Sequence, residues 1–571
     1  MYMKRLRSQI IIVVVALVAI GLLLFSQQST NPQTVIVPEP VAGGIYTEAL
    51  IGSPGRFNPT LDFYNPLDRD VDRLIFSGLI KFDDRGNPQA DLAESWGVSR
   101  DGTTYNFALR PNALWHDGQP VISDDVIFTI ELLRNPDYPA PDDLRKLWSA
   151  IDVKRLDEKT LQFKLPEPFS PFLDYLTFGI LPKHLLVGLN PKSLVDDPFN
   201  LAPVGTGPYL FERLLVNTQG TSGPVITGVV LKANDTYYHK RSFIDQIVFM
   251  YYPNAKSALA DYREGRIQGI NQITAETLPE ALAEPNLNLY TSRLPELSLV
   301  LFNLDDPEVP FLQEVEVRQS LMMGINRQWI INNLLDGQAI PASGPIFPGT
   351  WAYYNGIQQT PYDPDKAIEL LKAAKYTIPA SGGSIRAKEN QFLSFELLYP
   401  DDEKHALMAQ TIQENWLRLG VDVTLKSVPY DELLTSYLEP RNYQAALVEL
   451  NLSRSPDPDP YPFWHQSQIT GGQNYSKWED RQASEYLEQA RITIDQGERG
   501  RLYRNFQVRF INELPALPLF YPVYTFAVDA EVRGVRIGPL FDPSDRFLTI
   551  TDWYLVARGK VAEATTKTPS P

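Results

Sequence analysis

Cysteine is absent from the 571-residue chain. That excludes disulfides, thiol nucleophiles and Cys-ligated zinc or iron–sulfur centres. It also removes the lipidated cysteine that anchors many secreted bacterial proteins, and it is compatible with an oxidising compartment. Histidine is scarce: His116, His184, His239, His405 and His465 never fall at metal-ligand spacing. Each reads as a surface or hydrogen-bonded residue. No G-x-S-x-G elbow, Walker A loop, dinucleotide glycine fingerprint or H-E-x-x-H occurs, so the common catalytic signatures are missing. Positive charge is also short. A formal net charge of −17 disfavours nucleic acid and anionic lipid as main partners, although an acidic balance also serves solubility alone.

What is present begins at the N-terminus. Lys4, Arg5 and Arg7 precede an uninterrupted apolar run from Ile10 to Phe25. A basic flank before such a run is an export signal. The run is shorter than the roughly 20 residues of a typical spanning helix. No A-x-A site follows Phe25, and an uncleaved signal anchor over 1–26 is favoured over a cleaved peptide. The basic flank stays in the cytoplasm and everything after it lies outside. Residues 27–42 form a polar, Pro-rich tether, and 558–571 read as a disordered tail. The length in between is enough for three or four domain-sized units.

Strands and helices mix along that length, with no fixed-period repeat, giving an α/β or α+β chain. Thr103–Arg110 alternates as a strand after the Asp101-Gly102 turn. Ser123 is expected to cap a helix with Asp124 and Asp125 in its first turn. Lys159–Leu165 is a second strand, and Val315–Leu335 is one long helical pattern ending at Gly337. Asp363-Pro364 opens a helix through Leu371. Glu403–Leu419 is a helix stopped by Gly420, with the strand VDVTLKSV behind it. Asn442–Leu450 is a strand, Arg481–Asn512 carries two helical patterns, and Pro515–Phe526 is strand-like. Thr377–Glu389, with its SGGS, reads as a loop.

Two segments invite a chemical reading. Gly205-Thr206-Gly207 could cradle a phosphate only with a helix start behind it, and PYLFE reads instead as a strand. Asp457 and Asp459 could form an acid/base pair or a calcium site. Their alternation with proline in SPDPDPYPFW favours an extended loop. The 28 Tyr, 27 Phe and 9 Trp suit both cores and ligand clefts.

Several segments resemble family 5 extracellular solute-binding proteins, the oligopeptide- and dipeptide-binding components of ABC importers. The densest is Ile75–Leu133, with LIKFDDRGNPQADLAESWGVSRDGTTYNFALRPNALWHDGQP followed by DDVIFT. PVGTGPY (Pro203–Tyr209), NDTYY (Asn234–Tyr238), VEVRQSLMMGINRQWI (Val315–Ile330), YDPDKAIELL (Tyr362–Leu371) and PALPLFYPVY (Pro515–Tyr524) are similar too.

The resemblance implies a periplasmic-binding-protein-like type II fold of two lobes and three domains, behind an N-terminal transmembrane helix. The first lobe would combine 43–72, 200–297 and 521–557 with an insert over 73–199. The second would span 298–520. It implies a non-enzymatic, monomeric protein outside the cytoplasmic membrane, which captures a peptide by hinge closure and delivers it to a permease with its ATPase. A sugar, metal complex or other small organic solute is the alternative, as is an enzyme or sensor on the same scaffold. No cofactor is expected. The family's amine-binding carboxylate falls at Arg454, which cannot accept from an ammonium. Either Asp457 takes over, or the ligand carries no free amine there, or Arg454 is a solvated loop residue. Asn451, Arg454, Asp457 and Trp464, with Tyr64 and Asn65 from the opposite lobe, form the expected cleft.

Overall fold

In the computed structural model, residues 40–83, 85–218, 223–451 and 456–556 are described. The 1–26 anchor, nearly all of the tether, the 558–571 tail and Arg454 lie outside them. No helix among the described residues is long and apolar enough to cross a membrane.

A mixed sheet of 12 strands organises the chain. Its centre is Ala516–Asp529, a 14-residue strand that is almost wholly buried. The first part of this strand pairs antiparallel with Glu296–Phe302 and Ala339–Pro341, and the second with Leu287–Arg293 and Gly269–Ile270. Pro518 has no N–H to give to a ladder, and the register against Glu296–Phe302 shifts between Ser298 and Leu299, opposite it. Leu294 and Pro295 join Leu287–Arg293 to Glu296–Phe302, so two neighbouring strands pass from one side of the molecule to the other.

Apolar side chains gather on both sides of this crossing. One core draws on residues from Tyr46 to Phe249 and from Tyr524 to Trp553. Two others draw only on residues between Leu297 and Tyr521. The mixed α/β architecture agrees with the expected class. A separate four-stranded antiparallel sheet, Ala93–Val98, Thr104–Leu109, Thr160–Lys164 and Asp152–Arg155, lies within 73–199.

Local chemistry sets most element ends. Asp363 and Asp402 cap the helices Pro364–Ala373 and Glu403–Leu419 by accepting from Lys366 N and His405 N. Gly420 ends the second at φ 83°, in the left-handed region. Two expectations need correction. Val315–Leu335 is not one helix but two, Val315–Gly324 and Arg327–Leu334. Asn326 breaks it, because its side chain accepts from Trp329 N and starts the second helix. Ser123 is the first residue of its helix, not the cap. Its hydroxyl donates to the Asp157 carbonyl at 2.5 Å, while Asp125 accepts from Ile122 N at 2.9 Å. Thr377–Glu389, read as a loop, ends in a two-residue strand, Ala387–Lys388.

The glycine pair is explained by close approach. A Cβ on Gly205 would sit 2.0 Å from the Ile75 carbonyl oxygen, and one on Gly207 2.3 Å from that of Leu74. The strand Tyr209–Asn217 follows, as expected. His116 ties the turn down: Gly205 N donates to its Nδ1 at 3.2 Å, which leaves Nε2 to donate to the Gly207 carbonyl at 3.1 Å.

Candidate functional site

The helix Pro66–Ile75 anchors the site. Asn65 caps it, its side chain accepting from Leu67 N at 3.0 Å, and Pro66 opens it. Leu67, Val71, Leu74 and Ile75 face the core. The other positions carry an unusual density of buried charge. Asp68 accepts from the Gly55 and Arg56 amides, both at 2.7 Å. Asp70 forms a bidentate pair with Arg546 at 2.5 and 2.8 Å, and Arg546 also reaches Glu48 at 2.7 Å. Burial pushes the Asp70 carboxyl up to about 6, and Arg546 opposes the rise. Arg69 pairs with Asp542, and Arg73 with Asp545 at 2.7 Å.

Asp72 is different. It is 2% exposed, and neither carboxylate oxygen has a hydrogen-bond partner. Burial raises its pKa well above the usual carboxylate range, and Asp62 and Asp68 raise it further. The Asn58 amide and Arg69 oppose the rise. The Asn58 amide, however, is bonded to the Arg56 carbonyl at 3.0 Å.

This helix forms one wall of a cavity of about 800 Å³, well within the size range of small-molecule sites. Asp174 and Tyr175 come from 73–199, Phe541 from the C-terminal segment, and Pro456 from the far side of the sheet crossing. Among the described residues no group of three or more His, Asp or Glu is placed to hold a metal ion. Among the described lining residues no hydrogen bond joins a serine or threonine hydroxyl to a histidine; the cavity is of a size to enclose a solute.

The expected cleft residues are placed as follows. Asn65 is the helix cap, and its Nδ2 donates to the Ser53 carbonyl at 3.2 Å. Tyr64 lies in the short helical turn Asp62–Tyr64. Asn451 ends the strand Ala445–Asn451, its Nδ2 3.4 Å from Glu296 Oε1. Trp464 is buried, edge-on to Phe510 at 4.7 Å. Asp457 is buried and pairs with Arg499 at 2.5 Å. Burial pushes its carboxyl up and the Arg499 guanidinium pulls it back. The Asp457 amide donates to Asp174 at 2.8 Å. Asp459 pairs with Arg491 at 2.7 Å rather than with Asp457. The cavity lining takes Asp62, Phe63 and Pro456, neighbours of Tyr64 and Asp457 in the chain, and not Asn65, Asn451, Asp457 or Trp464.

Sequence reasoning passed over Asp72, Asp174 and Phe541. A signal for the first was there: three aspartates at alternate positions of LDRDVDRL, interleaved with arginines, exceed what an exposed helix face needs.

Apolar cores on both sides of two crossing strands, with a solute-sized cavity walled by the helix Pro66–Ile75, suit a binding protein of the periplasmic type. The comparisons agree: residues 87–473 match the model for bacterial extracellular solute-binding proteins, family 5, middle region. The chain belongs to the family 5 extracellular solute-binding proteins. It is similar to the oligopeptide-binding protein AppA of Bacillus subtilis, at 26% identity over 93% of this chain and 95% of that one. The dipeptide-binding protein of Escherichia coli is 27% identical over 88% and 95%. Among solved structures, AppA in complex with a nonapeptide matches with a TM-score of 0.67 at 25% identity, covering 91% of this chain and 100% of AppA. NikZ from Campylobacter jejuni in complex with Ni(L-His) gives the same TM-score, identity and coverage.

Proposed function

We propose that this chain captures a peptide in the cavity beside the helix Pro66–Ile75 and hands it to an ABC permease with its ATPase. The observation that carries the reading is the cavity itself, a volume of about 800 Å³ walled by Pro66–Ile75, by 73–199 and by the C-terminal segment, with Pro456 reaching it from 298–520. The names of the similar proteins, oligopeptide- and dipeptide-binding, support a peptide as solute. In this reading 43–72, 200–297 and 521–557, with the insert 73–199, form one lobe, and 298–520 the other. Closure turns on the Leu294–Pro295 link and on the middle of Ala516–Asp529. Tyr64, Asn65, Asn451, Arg454, Asp457 and Trp464 belong to the cleft region, with Arg454 available to a carboxylate. The protein acts as a monomer, held at the outer face of the cytoplasmic membrane by Ile10–Phe25.

Calorimetry of the detergent-purified chain against a dipeptide-to-nonapeptide library tests this. Saturable binding is expected, and small-angle scattering should show a smaller radius of gyration at saturation. Heat signals from no peptide at all would overturn the peptide reading. The match to NikZ favours a second reading, a small non-peptide solute, which a ligand identified by mass spectrometry of the purified protein would separate. Protein that leaves the membrane in a high-salt wash would end the anchor.

A further inference from the structure

Most charged side chains in the cavity wall already have partners. Arg69 pairs with Asp542 and lies 4.0 Å from Asp62. Arg73 pairs with Asp545 at 2.7 Å, and Lys240 with Asp552 at 3.2 Å. Asp91 accepts from the Tyr238 hydroxyl at 2.8 Å, and Asp174 from the Asp457 amide at 2.8 Å. Both Asp72 oxygens are closed off. That leaves Lys81 and the exposed Asp143, one of each sign. A charged solute group entering here has to compete with partners in place, and parting a buried pair is costly.

Aromatic rings are the open part of the wall. Phe63, Tyr175 and Phe178 all line the cavity, and all keep exposed surface. Tyr175 is 36% exposed, yet burial is the main cause that raises the pKa of its hydroxyl. Its open face therefore looks into an enclosed space rather than into bulk water. Phe178 is braced from behind, edge-on to the buried Trp148 at 5.7 Å. Its backbone has no slack. A Cβ on Gly179 would sit 2.6 Å from Phe76 Cβ and 2.8 Å from Pro59 Cγ, and one on Gly78 2.6 Å from the Thr177 carbonyl oxygen. The Phe63 carbonyl accepts from Arg69 at 3.4 Å, which ties the turn Asp62–Tyr64 to the helix Pro66–Ile75. Rings held in this way offer apolar area at little ordering cost.

We propose that the cavity selects a solute with a bulky apolar side chain, an aromatic one above all, seated against Phe63, Tyr175 and Phe178. The inference rests on the reading of this cavity as the solute site and adds the class of side chain that it takes.

The test uses the full chain in detergent and the probes Ala-Phe-Ala, Ala-Ala-Ala, Ala-Lys-Ala and Ala-Glu-Ala, titrated by calorimetry into the parent, Tyr175→Ala and Phe178→Ala. Ala-Phe-Ala should bind the parent about ten-fold or more tighter than each of the other peptides, the order expected for burying one aromatic side chain. Its advantage over Ala-Ala-Ala should shrink by about three-fold or more in at least one variant. Tyr175, partly exposed, covers the case in which Phe178→Ala folds poorly. A smaller preference over any of the other peptides in the parent, or an advantage that survives in every variant that folds, overturns the inference and leaves the solute-binding reading standing. Binding of none of the peptides overturns the peptide reading, and the apolar selectivity with it.

Discussion

The Asp174 carboxylate accepts a hydrogen bond at 2.8 Å from the backbone N–H of Asp457, 283 residues away along the chain. It is one of several contacts between 73–199 and the 456–499 region. Ser170 Oγ donates to the Thr493 carbonyl at 2.5 Å, and the Arg491 guanidinium lies 5.5 Å from the Phe169 ring. Replacing Asp174 with alanine should leave the fold intact but free the Asp457 amide. Hydrogen exchange read by mass spectrometry should accelerate at least ten-fold in peptides covering 456–459. Unchanged exchange would show that the contact does not hold the two regions together.

Asp457 and Arg499 make a second, more costly pair. Both are almost fully buried, and Arg499 also donates to the Ala490 carbonyl at 2.8 Å. Removing one member of a buried pair strands the other, at about 3–5 kcal/mol. Arg499→Ala should lower stability by that order in urea unfolding. Loss of less than about 1 kcal/mol would mean that Asp457 finds another partner or is neutral in the folded chain.

Asp72 sets a pH dependence. Its folded pKa is raised, first by burial and then by Asp62 and Asp68, against the influence of Arg69 and the Asn58 amide. A raised carboxylate binds protons better folded than unfolded. The stability it contributes is present below about pH 4, the unfolded value, and is lost as pH rises through the folded pKa. Asp72→Asn removes that loss. The variant should melt close to the parent at pH 4 and above it at pH 8, by several degrees in a thermal scan. A difference that shrinks with rising pH would contradict the assignment.

Gly205 offers a steric test. An added methyl would meet the Ile75 carbonyl oxygen at 2.0 Å, and backbone on both sides fixes the gap. Gly205→Ala should cost about 1–3 kcal/mol or more, as overpacking does. Gly188, at φ +86° with nothing within 4 Å of where a Cβ would sit, supplies a contrast in which only the backbone conformation is strained.

How far the sequence could be read depended on how local the cause was. The caps at Asp363 and Asp402 and the stop at Gly420 act within one turn and were plain. The break at Asn326 was hidden because apolar spacing runs on through Met322, Ile325 and Ile330, while one side-chain bond to Trp329 N decides the matter. The resemblance to family 5 proteins located the fold, since its motifs mostly build turns and cores: Gly205 and Gly207 meet the end of Pro66–Ile75, and Trp96 stacks on Phe107 at 6.2 Å. The site was less legible. The isolation of Asp72 depends on where Asp542, Asp545 and Arg546 go, and they lie more than 460 residues further along the chain. Asp457 looked like a loop residue because nothing in SPDPDP announces Arg499.

The place of Ala516–Asp529 after all of its described sheet partners has a consequence for synthesis. A ribosome that has released residue 515 has made all four described partners of this strand, Gly269–Ile270, Leu287–Arg293, Glu296–Phe302 and Ala339–Pro341, but not the strand that joins them. Arg546, the shared partner of Glu48 and Asp70, is also still missing. The half-built sheet carries an open edge and two stranded carboxylates, so completing the fold should wait for Ala516–Asp529 and Arg546 to emerge. A chain truncated at 515 should be cut rapidly by dilute protease where one ending at 556 resists; equal resistance would mean that the first half folds unaided.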